Sequence, residues 1–239
     1  MSLKLTNPHS VLAAIESRSH DVERVEILED YLKGPWLAVK NAAKSHSITV
    51  VEKKADKGKR KIDSGSFGRT ASSSGTVREK KKVDLESLFA SKEDGLWLAL
   101  DCVQDPQNVG AIFRTAAFLG VKGVLMTNHR SAPLSSVVYD VSCGGVEVLP
   151  FAIETNLKNA LGTAKDMGFW ILGSSEHARD SYQTLSLDRK WLLVVGNEEK
   201  GMRPLTESFC DVVCTIPNKG KVTSLNVSVA SAILMSHFC

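Results

Sequence analysis

From residue 95 onward the chain alternates short apolar runs with longer stretches of helical spacing. LWLALDCV (96–103), GVLMT (123–127), VEVLPF (146–151), FWILGSS (169–175), WLLVVGN (191–197) and DVVCTIP (211–217) are largely continuous in apolar character, as strands covered on both faces are. Between them, 107–119, 134–142, 155–167, 203–209 and 224–237 read as helices. The alternation predicts an α/β fold: a parallel sheet with helices on both faces, over residues 94–239. Ligands of such sheets sit beyond the carboxyl ends of the strands.

Ahead of this lies a smaller α/β unit, read over residues 1–52. NPHSVLAAIES pairs an Asn N-cap with Pro at the first helical position. VERVEILE alternates as a half-buried strand does, GPWLAVKNAAKSH has helical spacing, and SITVVEK is a β-branched strand. Residues 53–93 read as a basic linker or loop. Within 53–82 there are 11 Lys/Arg against 3 Asp/Glu, with many Gly and Ser and almost no apolar content. That charge density suits a phosphate backbone, so the segment reads either as a solvated tether or as an arm that orders on RNA.

Composition narrows the field. The 239 residues are 43% hydrophobic and 24% charged, ordinary for a globular chain with room for a core. No apolar run reaches the ~18 residues of a membrane span. MSLKLTNPHS lacks the apolar region of a signal peptide and the Arg-rich character of a transit peptide. Five cysteines, scattered mostly among apolar neighbours, read as free thiols. Cys210 and Cys214 have no nearby His to complete a zinc set, so no metal is expected.

Three polar clusters follow directly on apolar strands. In the first, Asp105 and Pro106 turn the chain into a helix bearing Asn108 and Arg114, about 240° apart around the axis. In the second, GNEEKG, Gly196 and Gly201 allow close backbone approach and positive φ beside Asn197 and Glu198. In the third, Ser224 is a candidate N-cap, with Asn226 in the first turn of the last helix. By spacing alone Asn108 also reads as a helix cap, Arg114 as a surface cation and Ser224 as a cap only. The G-x-G-x-x-G, P-loop and G-x-S-x-G signatures are absent.

Taken in order, these clusters resemble the SpoU (TrmH) family of the SPOUT superfamily, RNA 2′-O-ribose methyltransferases that use S-adenosyl-L-methionine. DPQNVGAIFRTAAFLG, VVGNEEKGM and IPNKGKVTSLNVSVASAI are similar to the family's three motifs in order and spacing, and the resemblance covers residues 97–237. It implies a deep C-terminal trefoil knot, which general rules of chain threading would not suggest. It also implies a homodimer in which the first-motif helix helps complete the site. By motif position, Gly196, Asn197, Glu198, Gly201, Ile216, Pro217 and Leu225 fall on cofactor-binding positions. Asn108, Arg114, Glu198, Ser224 and Asn226 fall on catalytic ones. Residues 7–52 resemble an L30e-type RNA-binding domain.

Arg114 is expected to stay charged, because a guanidinium hardly ever releases its proton. It would grip the neighbouring phosphate and hydrogen-bond the developing alkoxide. The chain departs from the family pattern at Asn218 (commonly Met), Glu199 (frequently Gly) and Gly145 (usually Ala), and has SSSGTVREKKK where relatives often have a His-Gln-Gly turn. The expected substrate is RNA, with rRNA favoured over tRNA, in a bacterial-type cytoplasm or an organelle. The rivals are a non-catalytic RNA-binding protein on the same fold, a base-methylating relative and an unrelated nucleotide-binding α/β protein.

Overall fold

The computed structural model describes residues 1–29, 34–54 and 73–239. Asn7 opens the first helix, α1 (Pro8–Arg18), as its sequence predicts: its side chain accepts from the His9 amide, and Pro8 occupies the first turn. Around α1 and α2 (Pro35–Ser45) a four-stranded sheet forms from β1 (Ser2–Leu5), β2 (Val22–Leu28), β3 (Val50–Lys53) and β4 (Ser74–Arg78). Its order is β1-β4-β2-β3, with β4 antiparallel to both neighbours and β3 parallel to β2.

Strand β4 changes the expected organisation. Residues 55–72, part of the basic segment, lie outside the described residues. Ser74–Arg78, however, falls inside the stretch read as linker and is a central strand of the first sheet. Ser, Gly and Thr give it almost no hydrophobic signal. Gly75 is small for a reason, since a Cβ there would meet the Val11 side chain at 2.7 Å. A short helix, α3 (Leu85–Leu88), capped by Asp84, then leads into the second sheet.

That sheet holds seven parallel strands in the order β7-β6-β5-β10-β8-β11-β9. They are β5 (Gly95–Leu100), β6 (Val124–Thr127), β7 (Phe151–Glu154), β8 (Trp170–Ser174), β9 (Asp180–Ser181), β10 (Lys190–Val195) and β11 (Val212–Thr215). The helices are α4 (Pro106–Leu119), α5 (Ser136–Ser142), α6 (Gly145–Val148), α7 (Leu157–Asp166), α8 (Pro204–Glu207) and α9 (Val227–Phe238). Both faces are covered. In β5, Leu96, Leu98 and Leu100 join one core cluster, and Trp97 and Ala99 join the other. In β10, Trp191, Leu193 and Val195 divide from Leu192 and Val194 in the same way. At about 1.5–3 kcal/mol for each large apolar side chain removed from water, these two strands anchor the fold.

VEVLPF is not a strand. Val146 and Leu149 are buried three residues apart while Val148 is 69% exposed, which is a helical pattern, and β7 begins only at Phe151. Gly145 is required there because a Cβ would lie 2.6 Å from the Phe113 carbonyl oxygen. The last helix also begins later than expected, at Val227.

The two units meet across a buried polar seam. The Arg18 guanidinium donates to both Glu147 oxygens, at 2.6 and 2.8 Å, and to the Arg78 carbonyl. The Lys80 ammonium donates to the carbonyls of Val146, Glu147 and Leu149 at 2.7–3.0 Å, satisfying the end of α6. Ser10 Oγ donates to the Tyr139 carbonyl, and the Tyr139 hydroxyl accepts from the Lys80 amide.

Candidate active site

The loops that end β5 and β10 lie side by side because those strands pair directly, Val195 opposite Leu100. Cys102 follows in the left-handed region (φ 63°), and its carbonyl accepts from Asn197 Nδ2 at 3.0 Å. Asp101, fully buried, accepts from the Arg203 amide and forms an ion pair with the Arg203 guanidinium at 2.7 Å.

The loop after β10 folds on itself. Asn197 and Gly201 exchange two backbone hydrogen bonds of 2.9 Å, and Asn197 Oδ1 accepts from the amides of Glu199 and Lys200. Gly201 supplies the positive φ (67°) that closes the turn. A Cβ on Gly196 would lie 2.2 Å from Gly201 C and Met202 N, so only glycine lets the strand end pass beneath its own loop.

Glu198 reaches back to the first loop. Its carboxylate accepts from the amides of Gln104 and Asp105, from Asn108 Nδ2 (3.2 Å) and from Asn197 Nδ2. Burial pushes its pKa up, but the amide of Asp105, its own amide, Asn108 and the amide of Gln104 together outweigh this and hold it below the ordinary carboxylate value. Glu198 is therefore an anion at neutral pH.

Asp105 caps α4, which leaves Asn108 free to turn inward, almost fully buried. Its Nδ2 donates to Glu198 and its Oδ1 accepts from Asn226 Nδ2 at 2.9 Å. Asn226 in turn is the N-cap of α9, accepting from the Ser228 amide and hydroxyl. The cap is thus Asn226, not Ser224, because the helix starts three residues later than the apolar pattern suggests. The relay Glu198–Asn108–Asn226 ties together three loops far apart in sequence.

Beside the relay is a cleft of about 470 Å³, within the ~300–1,000 Å³ range of small-ligand and cofactor pockets. Gly196, Asn197, Glu198, Gly201, Ile216, Pro217, Ser224 and Leu225 all line it. Asn108 and Asn226 stand behind the lining and hold it. Arg114 is elsewhere: it is exposed on another face of α4 and lines a separate shallow cleft with Thr6–Pro8. Sequence reasoning missed the loop after β8, where Ser174–His177 complete the lining, and the Asp101–Arg203 pair. FWILGSS ends in the same abrupt apolar-to-polar change as the other strands, which was the available signal. Among the described residues no group of His, Cys, Asp and Glu could hold a metal, the five cysteines are free, and no helix is long and apolar enough to cross a membrane.

Sheet and cleft together define an α/β protein with a cleft of ligand size among the loops at the carboxyl ends of its strands, next to a polar relay. The SpoU rRNA Methylase family model matches residues 95–236, and the chain belongs to that family. It is 32% identical over 231 residues to YacO of Bacillus subtilis (strain 168), named for the TrmH family of tRNA/rRNA methyltransferases, across 93% of this chain and 90% of that one. It is 41% identical over 157 residues to the 23S rRNA (guanosine-2′-O-)-methyltransferase RlmB of Nitrosomonas europaea, across 65% of this chain and 60% of that one. The latter match therefore spans less than two thirds of its relative. The fold is shared with the SpoU methyltransferase AviRb of Streptomyces viridochromogenes, solved in complex with AdoMet. There the TM-score is 0.79 at 19% identity, covering 99% of this chain and 89% of AviRb.

Proposed function

We propose that the protein transfers a methyl group from S-adenosylmethionine to a ribose 2′-hydroxyl of RNA, with rRNA as substrate. The observation that carries this reading is the Glu198–Asn108–Asn226 relay beside the Gly196 cleft. The cleft fits the donor. Gly196 lets the loop fold closely over the strand end and so shapes the cleft, Ile216, Leu225, Val227 and Leu234 offer an apolar wall, and Glu176, Glu199 and Glu207 offer negative charge to a cationic ligand. When bound, S-adenosylmethionine supplies an electrophilic methyl carbon on a sulfonium.

The chain's own residues supply positioning, which for an in-line transfer provides much of the rate. Glu198 holds the first loop against the second, Asn108 hands that constraint to Asn226, and Asn226 fixes the start of α9. Arg114, permanently charged, grips a substrate phosphate and hydrogen-bonds the oxygen that gains charge. Ser224 stands on the cleft wall as a hydrogen-bonding partner for the substrate.

Arg114 does not line the donor cleft of its own chain, which supports a homodimer in which α4 of one protomer completes the site of the other. Phe118 on α4, 87% exposed, and Val229 on α9, 47% exposed, are apolar side chains such an interface would cover. The family resemblance supports a trefoil knot in the C-terminal segment and an L30e-like RNA-binding role for the first unit, which we extend to include β4. We place the methyltransferase unit from about residue 94 and the enzyme in a bacterial-type cytoplasm. The RlmB names favour rRNA, and the mixed tRNA/rRNA name of YacO keeps tRNA as the second reading.

The test is transfer of tritiated methyl from S-adenosylmethionine to total RNA, by wild type and Arg114→Ala, with products separated as nucleosides. A 2′-O-methylated nucleoside made by wild type and lost in the variant is the expected result. Donor binding without incorporation into any RNA would sink the reading in favour of the binding-only rival.

A further inference from the structure

The seam between the two units opens at one end into a shallow cleft, walled by Thr6, Asn7 and Pro8 from the first unit and by Arg114, Asp140 and Val141 from the second. Its walls are locked together. The Asp140 carboxylate accepts from the Thr6 amide (2.9 and 3.0 Å), the Thr6 hydroxyl (2.7 Å) and the Asn7 amide (3.0 Å), while Asn7 Nδ2 donates to the Asp140 carbonyl (2.8 Å). Asp140 thus directs both carboxylate oxygens at the facing turn. Arg114 makes no side-chain hydrogen bond or ion pair to any other described residue. The cleft therefore presents a guanidinium with no partner among the described residues, on one of two facing walls that belong to different units.

We propose that this cleft holds the RNA backbone next to the target nucleotide, with Arg114 on a phosphodiester and the Thr6–Pro8 turn as the opposite wall. Asp140 is the positioning residue that sets the gap. The proposal rests on the RNA methyltransferase reading and deepens it: the first unit would contribute a wall of the substrate site as well as tethering RNA from a distance. Two observations favour a phosphodiester. A guanidinium fork matches phosphate oxygens. The cleft is too open to enclose a small molecule, which would bury most of its surface.

Charge at Thr6 tests the idea, because its side chain is exposed at the cleft and its amide bond to Asp140 survives substitution. Affinity for deproteinised 23S rRNA is measured by filter binding across a salt series for Thr6→Glu and Thr6→Lys. Asn159→Glu, on the exposed face of α7, serves as an equal-charge control. Thr6→Glu is expected to bind RNA about tenfold more weakly, and Thr6→Lys to bind at least as tightly with a salt slope steeper by about one. Both should keep the donor affinity of wild type and stay folded, with a modest fall in melting temperature from the lost Thr6 hydroxyl bond to Asp140 that Thr6→Glu and Thr6→Lys share. Asp140→Asn should raise the KM for RNA several-fold with kcat within about twofold, whereas a purely structural role would lower the melting temperature and the active fraction. If Thr6→Glu weakens RNA binding no more than Asn159→Glu does, the proposal is overturned. If wild type binds RNA without methylating it, the functional reading fails while the Thr6 series still decides the cleft.

Discussion

Asn226 Nδ2 donates to Asn108 Oδ1 at 2.9 Å, joining the cap of the last helix to the first turn of α4 across 118 residues. Asn108 cannot flip its amide to suit a changed partner, because its Nδ2 is already committed to Glu198. Asn226→Asp therefore keeps the cap but sets two oxygens against each other. Its melting temperature should stay close to wild type while methyl transfer falls by about tenfold or more. Asn226→Ala should in addition lose about 1 kcal/mol of capping stability, read by thermal unfolding.

Gly196 has no room for a methyl group. Gly196→Ala should abolish donor binding in calorimetry, since the loop over the strand end must move to admit a Cβ at 2.2 Å from backbone atoms. Retained donor affinity in a folded variant would show that the cleft beside Gly196 is not the donor site.

Glu198 carries a pH prediction. Its folded-state pKa lies below the unfolded value, so its stabilising contribution is complete above the ordinary carboxylate range and is lost as pH falls through the depressed value. Donor affinity should be flat from about pH 6 to 8 and weaken only under more acidic conditions. Glu198→Gln should be weak throughout and lack that acid-side loss, because an amide cannot accept from all the donors that converge there.

Arg18 and Glu147 are 8% and 1% exposed and bound side-on. Arg18→Met leaves a buried carboxylate unpaired and should cost about 3–5 kcal/mol in denaturant unfolding. Arg18→Met/Glu147→Leu should recover most of that loss. An additive double variant would show that the pair is not coupled.

Arg114→Ala separates the two clefts. It should lose methyl transfer by about 100-fold or more with unchanged donor affinity, because Arg114 does not line the donor cleft.

The second sheet was legible wherever burial on both faces leaves an unbroken apolar run, as in WLLVV, and the donor loops were legible because such runs stop abruptly at Gly and Asn. Strand β4 was not. A strand of Ser, Gly and Thr that hides against Val11 carries its information in small size, which hydrophobic patterning does not register. VEVLPF misled for the opposite reason, since its apolar residues are helical neighbours three apart. The hydrogen-bonding roles of Asn108 and Asn226 also needed the structure: Asn108 reads as a cap until Asp105 is seen to be the cap, and Asn226 reads as a first-turn residue until the last helix is seen to begin after it.

The pairing of β5 with β10 has a kinetic consequence. Gly95 lies opposite Lys190, so roughly ninety-five residues must be closed into a loop before the centre of the sheet exists. Topologies dominated by such distant pairings fold slowly. The relay adds a still longer closure, from Asn108 to Asn226. The Gly196 pocket should therefore be the last feature to mature during refolding. The recovery of donor binding after dilution from denaturant should lag behind the recovery of helical circular dichroism.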